Sequence, residues 1–180
     1  VTAFDLAFNK LLGIEGGYSN IPADRGGKTR YGITEAVARA NGYAGDMSNL
    51  PIPIAQRIYR EKYWDPLLLD QVALMSYSIA DKTFDIGVNM GPSVAVRGFQ
   101  TALNAFNRNG RDYADMDVAN NMTPAAVNNL RRFLDLRGTD GEKVQFRAMN
   151  SQQGSRYLAI ARDSPELEEF TFGWFLNRIA

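Results

Sequence analysis

The sequence predicts a mainly α-helical chain with one small β-element near its N-terminus, on three observations. Apolar residues recur at three- and four-residue steps, capping residues stand just before those runs, and glycine, asparagine or proline closes them. No series of alternating strands, internal repeat or low-complexity linker interrupts the pattern. With 180 residues, 45% apolar and 11% aromatic, the chain has the material for a packed core and suggests one domain.

Each element can be justified in order. Thr2 caps a first helix carrying Phe4, Ala7, Phe8, Leu11, Leu12 and Ile14, and Gly16-Gly17 ends it. A polar segment rich in Gly, Asn, Pro and Asp follows, and residues 28–34 have the β character of a short hairpin. Thr34 caps a second helix through Ala40, stopped by Asn41-Gly42. Pro53 marks a third, with Ile54, Ile58 and the Tyr63-Trp64 pair before Pro66. Val72, Met75, Ile79 and Ile86 predict one more buried helix from Asp70 to Met90, closed by Gly91-Pro92. Val96, Phe99, Leu103 and Phe106 mark the next, ended by Asn109-Gly110. Thr123-Pro124 opens a helix with Val127, Leu130 and Leu134. Thr139 with Glu142 has capping-box spacing before a long helix to Ile160, and Ser164-Pro165 opens the last, with Phe170 and Trp174.

Composition excludes several chemistries. There is no Cys, hence no disulfide, thiol nucleophile or thiolate metal site, and no His, the usual general base and commonest zinc ligand. Ser-His-Asp hydrolases, Cys-His peptidases and His-ligated zinc amidases fall away by counting. Twenty basic residues balance twenty acidic ones, which gives no support to a nucleic-acid partner. Residues 1–17 lack the basic start and unbroken apolar core of a signal peptide, and no segment approaches the ~20 apolar residues that span a bilayer. The Asp112–Asn121 segment lacks the glycine and final Glu of an EF-hand and reads as a solvated loop, so no metal is expected.

Carboxylate chemistry survives, and Glu15 is its first candidate. It follows Leu11 by four residues and Phe8 by seven, so a continuing helix sets it on the apolar stripe. A helix C-terminus and partial desolvation both raise a carboxyl pKa, as a proton donor to a glycosidic bond requires. Taken alone, a Glu at this place is far more often an ordinary helix-end residue reaching solvent. The following segment changes that balance: Asp24 stands nine positions on, in a Gly-containing loop, and Thr29 five further, on an extended piece. An inverting glycosidase needs an acid, a second carboxylate that activates water, and ~6.5–9.5 Å between them. Thr29 could then hold that water. Read singly, Asp24 is an Asx-turn residue and Thr29 a strand hydroxyl.

The stretch Glu15-Gly16-Gly17-Tyr18, then Pro22-x-Asp24-x-Gly26-Gly27-x-Thr29, then Tyr31-Gly32-Ile33-Thr34 resembles the signature of glycoside hydrolase family 108. Tyr63-Trp64, the run Phe84 to Pro92, and Phe172-Gly173-Trp174-Phe175-Leu176-Asn177-Arg178 extend the likeness over nearly the whole chain. The resemblance implies a muramidase of phage-endolysin type with a C-terminal peptidoglycan-binding region, and a catalytic role for Glu15. A second likeness, to the phage-T4-type lysozymes, implies roles for Asp24 and Thr29, since those enzymes use an acid, a carboxylate and a threonine in that order. Their Asp-to-Thr spacing is one residue longer than here.

Tyr18, Tyr31 and Trp64 are candidates for stacking on sugar faces, although aromatics at such spacings are more often core. Asp85 and Asn89 sit one helical turn apart; they line the substrate cleft, with Asn89 touching substrate, or hydrogen-bond each other or cap a neighbouring helix. The expectation is a single lysozyme-like domain over 1–180, with a catalytic part over about 1–75 and a C-terminal helical part over about 76–180. It acts as a monomer on peptidoglycan glycan strands, without cofactor. It is expected in the host cytoplasm, reaching the periplasmic wall on release. A lytic transglycosylase and a non-catalytic wall-binding or secretion-accessory protein are the rival readings.

Overall fold

The computed structural model describes residues 1–15, 17–19 and 28–179, with residues 14, 15, 18 and 19 described through their backbone alone. The mainly α architecture with a small sheet near the N-terminus is the one the sequence predicts. The chain forms two compact units, Val1–Lys62 and Tyr63–Ala180.

The N-terminal unit begins with α1 (Ala3–Glu15). Its cap is reciprocal: Thr2 Oγ1 accepts from the Asp5 N–H at 3.2 Å, and the Asp5 carboxylate accepts from the Thr2 N–H at 2.8 Å. The Thr2 N–H and then its hydroxyl, both donating to Asp5 Oδ2, hold that carboxyl below its ordinary value. Phe4, Ala7, Phe8 and Leu11 are buried, the three-and-four spacing that sets one stripe against the core. Phe8 meets Tyr59 of α3 (Ile52–Tyr59) with ring centroids 5.7 Å apart, and the Arg60 guanidinium lies 5.3 Å from the Phe4 ring centre.

Three two-residue strands form an antiparallel sheet in the order β1 (Tyr18–Ser19), β2 (Thr29–Arg30), β3 (Ile33–Thr34). The β2–β3 hairpin turns through Tyr31 and Gly32, both left-handed at φ 54° and 72°. Two consecutive positive φ values are what a two-residue hairpin loop requires. Thr34 then caps α2 (Glu35–Ala40), its hydroxyl accepting from the Val37 N–H.

In the C-terminal unit, α4 (Leu69–Ala73), α5 (Tyr77–Met90), α6 (Pro92–Phe106) and α7 (Pro124–Asp163) pack together, and α8 (Glu168–Arg178) packs on α7. Leu67, Leu69, Val72, Ile79, Phe84, Phe99, Leu103 and Leu130 are buried. The single helix expected from Asp70 to Met90 is two. Ser76 breaks it by capping α5, its hydroxyl accepting from the Ile79 N–H at 3.1 Å. Glu142 does not serve a capping box with Thr139; its carboxylate instead accepts from Ser76 Oγ at 2.7 Å and from Ser78 Oγ. The long α7 is broken at Gly138, where φ 56° and ψ −141° leave the helical region. That break divides the two helices the sequence announces. Ser164-Pro165 opens a short 3₁₀ turn (Pro165–Leu167), and α8 follows it.

The Asp112–Asn121 loop is more firmly held than a solvated loop would be. Gln100, Asn104 and Asn107 share one face of the α6 end and hydrogen-bond to Ala119 N–H, to both backbone groups of Met116, and to the Asp115 carboxylate. Tyr113 is buried beneath it and donates to the Leu103 carbonyl at 2.8 Å.

Candidate active site

Glu15 is the last residue of α1, so the backbone position expected of the acid, at the end of an apolar-striped helix, is the one observed. Its carboxylate and the whole of Asp24 lie outside the described residues. β1 begins three positions after Glu15, and β1 and β2, which flank Asp24 in sequence, pair with each other through Tyr18↔Arg30 and Ser19↔Thr29. Thr29 is half-buried and also faces Thr34 across the second ladder.

Those facts bound the acid and the threonine. Ser19 and Thr29 are antiparallel partners, so their Cα atoms stand ~4.5–5.5 Å apart. Four residues from Glu15 to Ser19 reach at most ~14 Å. Glu15 and Thr29 are therefore no more than ~20 Å apart at Cα.

The hairpin that carries Thr29 is fixed from outside. The Tyr59 hydroxyl donates to the Tyr31 carbonyl at 2.8 Å, which pins a left-handed turn residue to α3. Tyr59 has no place among the residues expected from sequence. It reads there as one more apolar position of α3, and nothing local announces that its hydroxyl reaches back 28 residues.

The four expected sugar contacts fare differently. Tyr18 opens β1, and its side chain lies outside the described residues. Tyr31 is half-buried with the Arg30 guanidinium 4.9 Å from its ring centre, so one ring face is already covered. Trp64, in the C-terminal unit, corrects the expectation. It is 0% exposed, meets Phe84 edge-on at 5.5 Å, and its Nε1 donates to Asp70 Oδ1 at 2.9 Å. Stacking on a sugar needs an open ring face, and this indole is core.

Asn89 is exposed near the end of α5, and its Nδ2 donates to the Asp85 carbonyl at 2.7 Å and to Asp85 Oδ1 at 3.1 Å. The polar pair thus bonds to itself, one of the readings its spacing allowed. Asp85 also accepts from Arg178 Nη1 at 2.7 Å and Gln153 Nε2 at 2.9 Å, partners too distant in sequence to be foreseen. Among the described residues, no group of three or more acidic side chains is placed to hold a metal ion, and no helix is long and apolar enough to cross a membrane.

Comparison with known proteins divides the chain in two. Residues 8–91 match the model of glycosyl hydrolase 108, and residues 94–179 match a predicted peptidoglycan domain. No curated protein sequence matches the chain. Among solved structures, it is similar to one titled as the structure of Brucella abortus SagA, with a TM-score of 0.65 and 23% identity over 95% of this chain and 86% of that one. That likeness is one of fold.

Proposed function

We propose that this chain, whose residues 8–91 match glycosyl hydrolase 108 and residues 94–179 a predicted peptidoglycan domain, is an N-acetylmuramidase. The pairing of the two regions supports a glycoside hydrolase directed at peptidoglycan. The finer reading is hydrolysis of the β-1,4 bond between N-acetylmuramic acid and N-acetylglucosamine.

The observation that carries it is Glu15 at the C-terminal end of α1, followed within three residues by a strand paired to the one that bears Thr29. In this reading the Glu15 carboxylic acid gives its proton to the glycosidic oxygen as the bond to the anomeric carbon breaks. Asp24 takes a proton from the water that attacks the opposite face, and Thr29 holds that water in line. In this reading half-buried Tyr31, in the turn after β2, stacks on a sugar. The protein acts as a monomer, made in the host cytoplasm and reaching the wall on release.

The test is Glu15→Gln, which removes the transferable proton and little else. Wall lysis on a zymogram should fall by at least the 10²–10⁴-fold of general-acid loss, with unchanged circular dichroism. Mass spectrometry of the released fragments separates the remaining readings. Hydrolysis leaves reducing ends and a transglycosylase leaves anhydro ends, one water lighter. A non-catalytic binder releases neither.

A further inference from the structure

The C-terminal unit holds a groove that the catalytic reading does not use. It lies between the end of α6 and the break in α7, has a volume of roughly 620 Å³, and is lined by Phe106, Phe133, Leu136, Val144, Arg108 and Arg137. Half-buried Phe106 stacks on the buried Phe133 at 5.8 Å and 19°, so the apolar wall a ligand meets is Phe106 backed by the core. Leu136 and Val144 are large apolar side chains left exposed at its rim.

The groove exists because two glycines allow it. Gly138 takes the left-handed φ that breaks α7. A Cβ on Gly141 would sit 2.6 Å from Arg137 Cβ and 3.3 Å from the Phe133 ring, too close to be accommodated.

Its charge is unbalanced. Two guanidiniums share one carboxylate: Arg108 Nε hydrogen-bonds both Asp112 oxygens at 3.0 and 3.1 Å, while Arg137 approaches Asp112 at 3.8 Å. Asp140, also on the lining, is paired with Lys143 at 3.4 Å. Arg137 keeps 41% of its side chain exposed and Arg108 53%. With five N–H donors on each guanidinium, donors remain for a second anion. The site therefore suits a carboxylate borne next to small apolar groups.

We propose that this groove binds the acidic peptide stem of peptidoglycan, a carboxylate on the Arg137–Arg108 side and the methyl groups of its alanines against Phe106, Leu136 and Val144. The choice among wall components follows from chemistry. The glycan offers hydroxyls and acetamides, and the lactyl carboxylate of muramic acid is tied up as an amide wherever a stem is attached. The free carboxylates of the wall polymer are on the peptide. The assignment rests on the reading that this protein acts on peptidoglycan, since the groove lies inside the region matching the peptidoglycan domain.

The experiment titrates full-length protein with a fluorescently labelled synthetic stem peptide (alanine, γ-linked glutamate, a diamino acid, alanine), and with the same peptide amidated at its carboxylates. Binding should weaken about ten-fold on amidation and about ten-fold in Arg137→Gln, each removing one charge-assisted contact. Val144→Glu, an exposed change that puts a like charge beside the ligand carboxylate, should abolish binding. Melting temperatures report whether either variant is misfolded. Intact sacculi should be cleaved by Arg137→Gln with a raised KM and unchanged kcat, and peptide-stripped glycan at the wild-type rate. The assignment is overturned if the wild type ignores the peptide, if amidation makes no difference, if both folded variants bind normally, or if stripped glycan displaces the peptide. Failure of the muramidase reading would appear separately, as loss of cleavage of both substrates with peptide binding intact.

Discussion

Removing the Asp85 carboxylate should cost more than any surface change in this molecule. Asp85 joins α5 to α8 through Arg178 at 2.7 Å and to α7 through Gln153 at 2.9 Å, with Lys82 at 3.8 Å. Lys82 and Arg178 have only 4% and 5% of their side chains exposed, so both cations rely on partners in place of water. Breaking such a buried pair from one side typically costs ~3–5 kcal/mol, because a desolvated charge is left behind. Asp85 is 18% exposed, and Lys82 keeps the Arg178 carbonyl at 2.6 Å, so the lower end applies. We expect Asp85→Ala to lose about 3 kcal/mol and to melt ~6–12 °C lower for a chain of this size. The assay is built into the sequence: both tryptophans, Trp64 and Trp174, lie in the C-terminal unit, so intrinsic fluorescence in a urea titration follows that unit alone. A double-mutant cycle with Arg178→Ala should give a coupling energy near the single-mutant loss, little screened by salt. A shift below about 0.5 kcal/mol for Asp85→Ala would refute the reasoning, since it would mean that other partners or water satisfy these cations without Asp85.

Three further outcomes follow from other parts of the structure. Burial pushes the Tyr113 hydroxyl up to about 12, so the unfolded chain loses that proton first; stability should hold up to the ordinary tyrosine value and fall between roughly pH 10 and 12, an effect absent in Tyr113→Phe melts. Trp64→Ala should destabilise by ~3–5 kcal/mol while leaving the KM of the folded enzyme for glycan unchanged; a raised KM with wild-type stability would restore the indole as a sugar contact. If Asp24 activates water across the ring from Glu15, proton NMR of a freshly cleaved oligosaccharide should show the α-anomer first, whereas an initial β-anomer would remove that role from Asp24.

What sequence could and could not announce divides along sequence separation. Thr2, Thr34 and Thr123 cap helices where the pattern places them, because a cap is a contact between residues three apart. The hairpin at 28–34 was legible for the same reason, its turn needing only Tyr31-Gly32. The break at Ser76 was hidden by phase: Val72, Ile79 and Ile86 are seven residues apart, so the apolar stripe runs on through a helix that stops and restarts. Glu142 misled by its spacing to Thr139, because its true partners Ser76 and Ser78 lie more than 60 residues away. Trp64 sat in an aromatic pair that suggests a binding face, and only the packing of Asp70 and Phe84 around it decides otherwise. Of the proposed catalytic set, Glu15 ends α1 and Thr29 lies on β2, whose partner strand β1 begins three residues after Glu15. Asp24 rests on the spacing alone.

The family boundary and the boundary of the compact units do not coincide, and that difference predicts how the chain can be cut. The hydrolase match runs to Gly91, but the N-terminal compact unit ends at Lys62, so α4 and α5 belong to the hydrolase region by sequence and to the C-terminal unit by packing. A fragment of residues 1–91 keeps those helices and discards α6 and α7, against which α5 packs. It would leave Leu67, Leu69, Val72, Ile79 and Phe84 without the core that covers them. Each is worth ~1.5–3 kcal/mol when buried, so the loss is on the order of 10 kcal/mol, the scale of a whole domain's stability. Residues 1–91 should therefore aggregate or unfold without a cooperative transition, and so should 1–75, which strands α4 alone. Residues 63–180 keep the C-terminal unit whole and should melt sharply, with Trp64 buried and Trp174 half-buried as in the full chain. A sharp calorimetric transition for 1–91 would mean that α5 finds a second core within the hydrolase region. In that case the hydrolase and peptidoglycan regions would be separable modules, and the Asp85–Arg178 pair a contact between them.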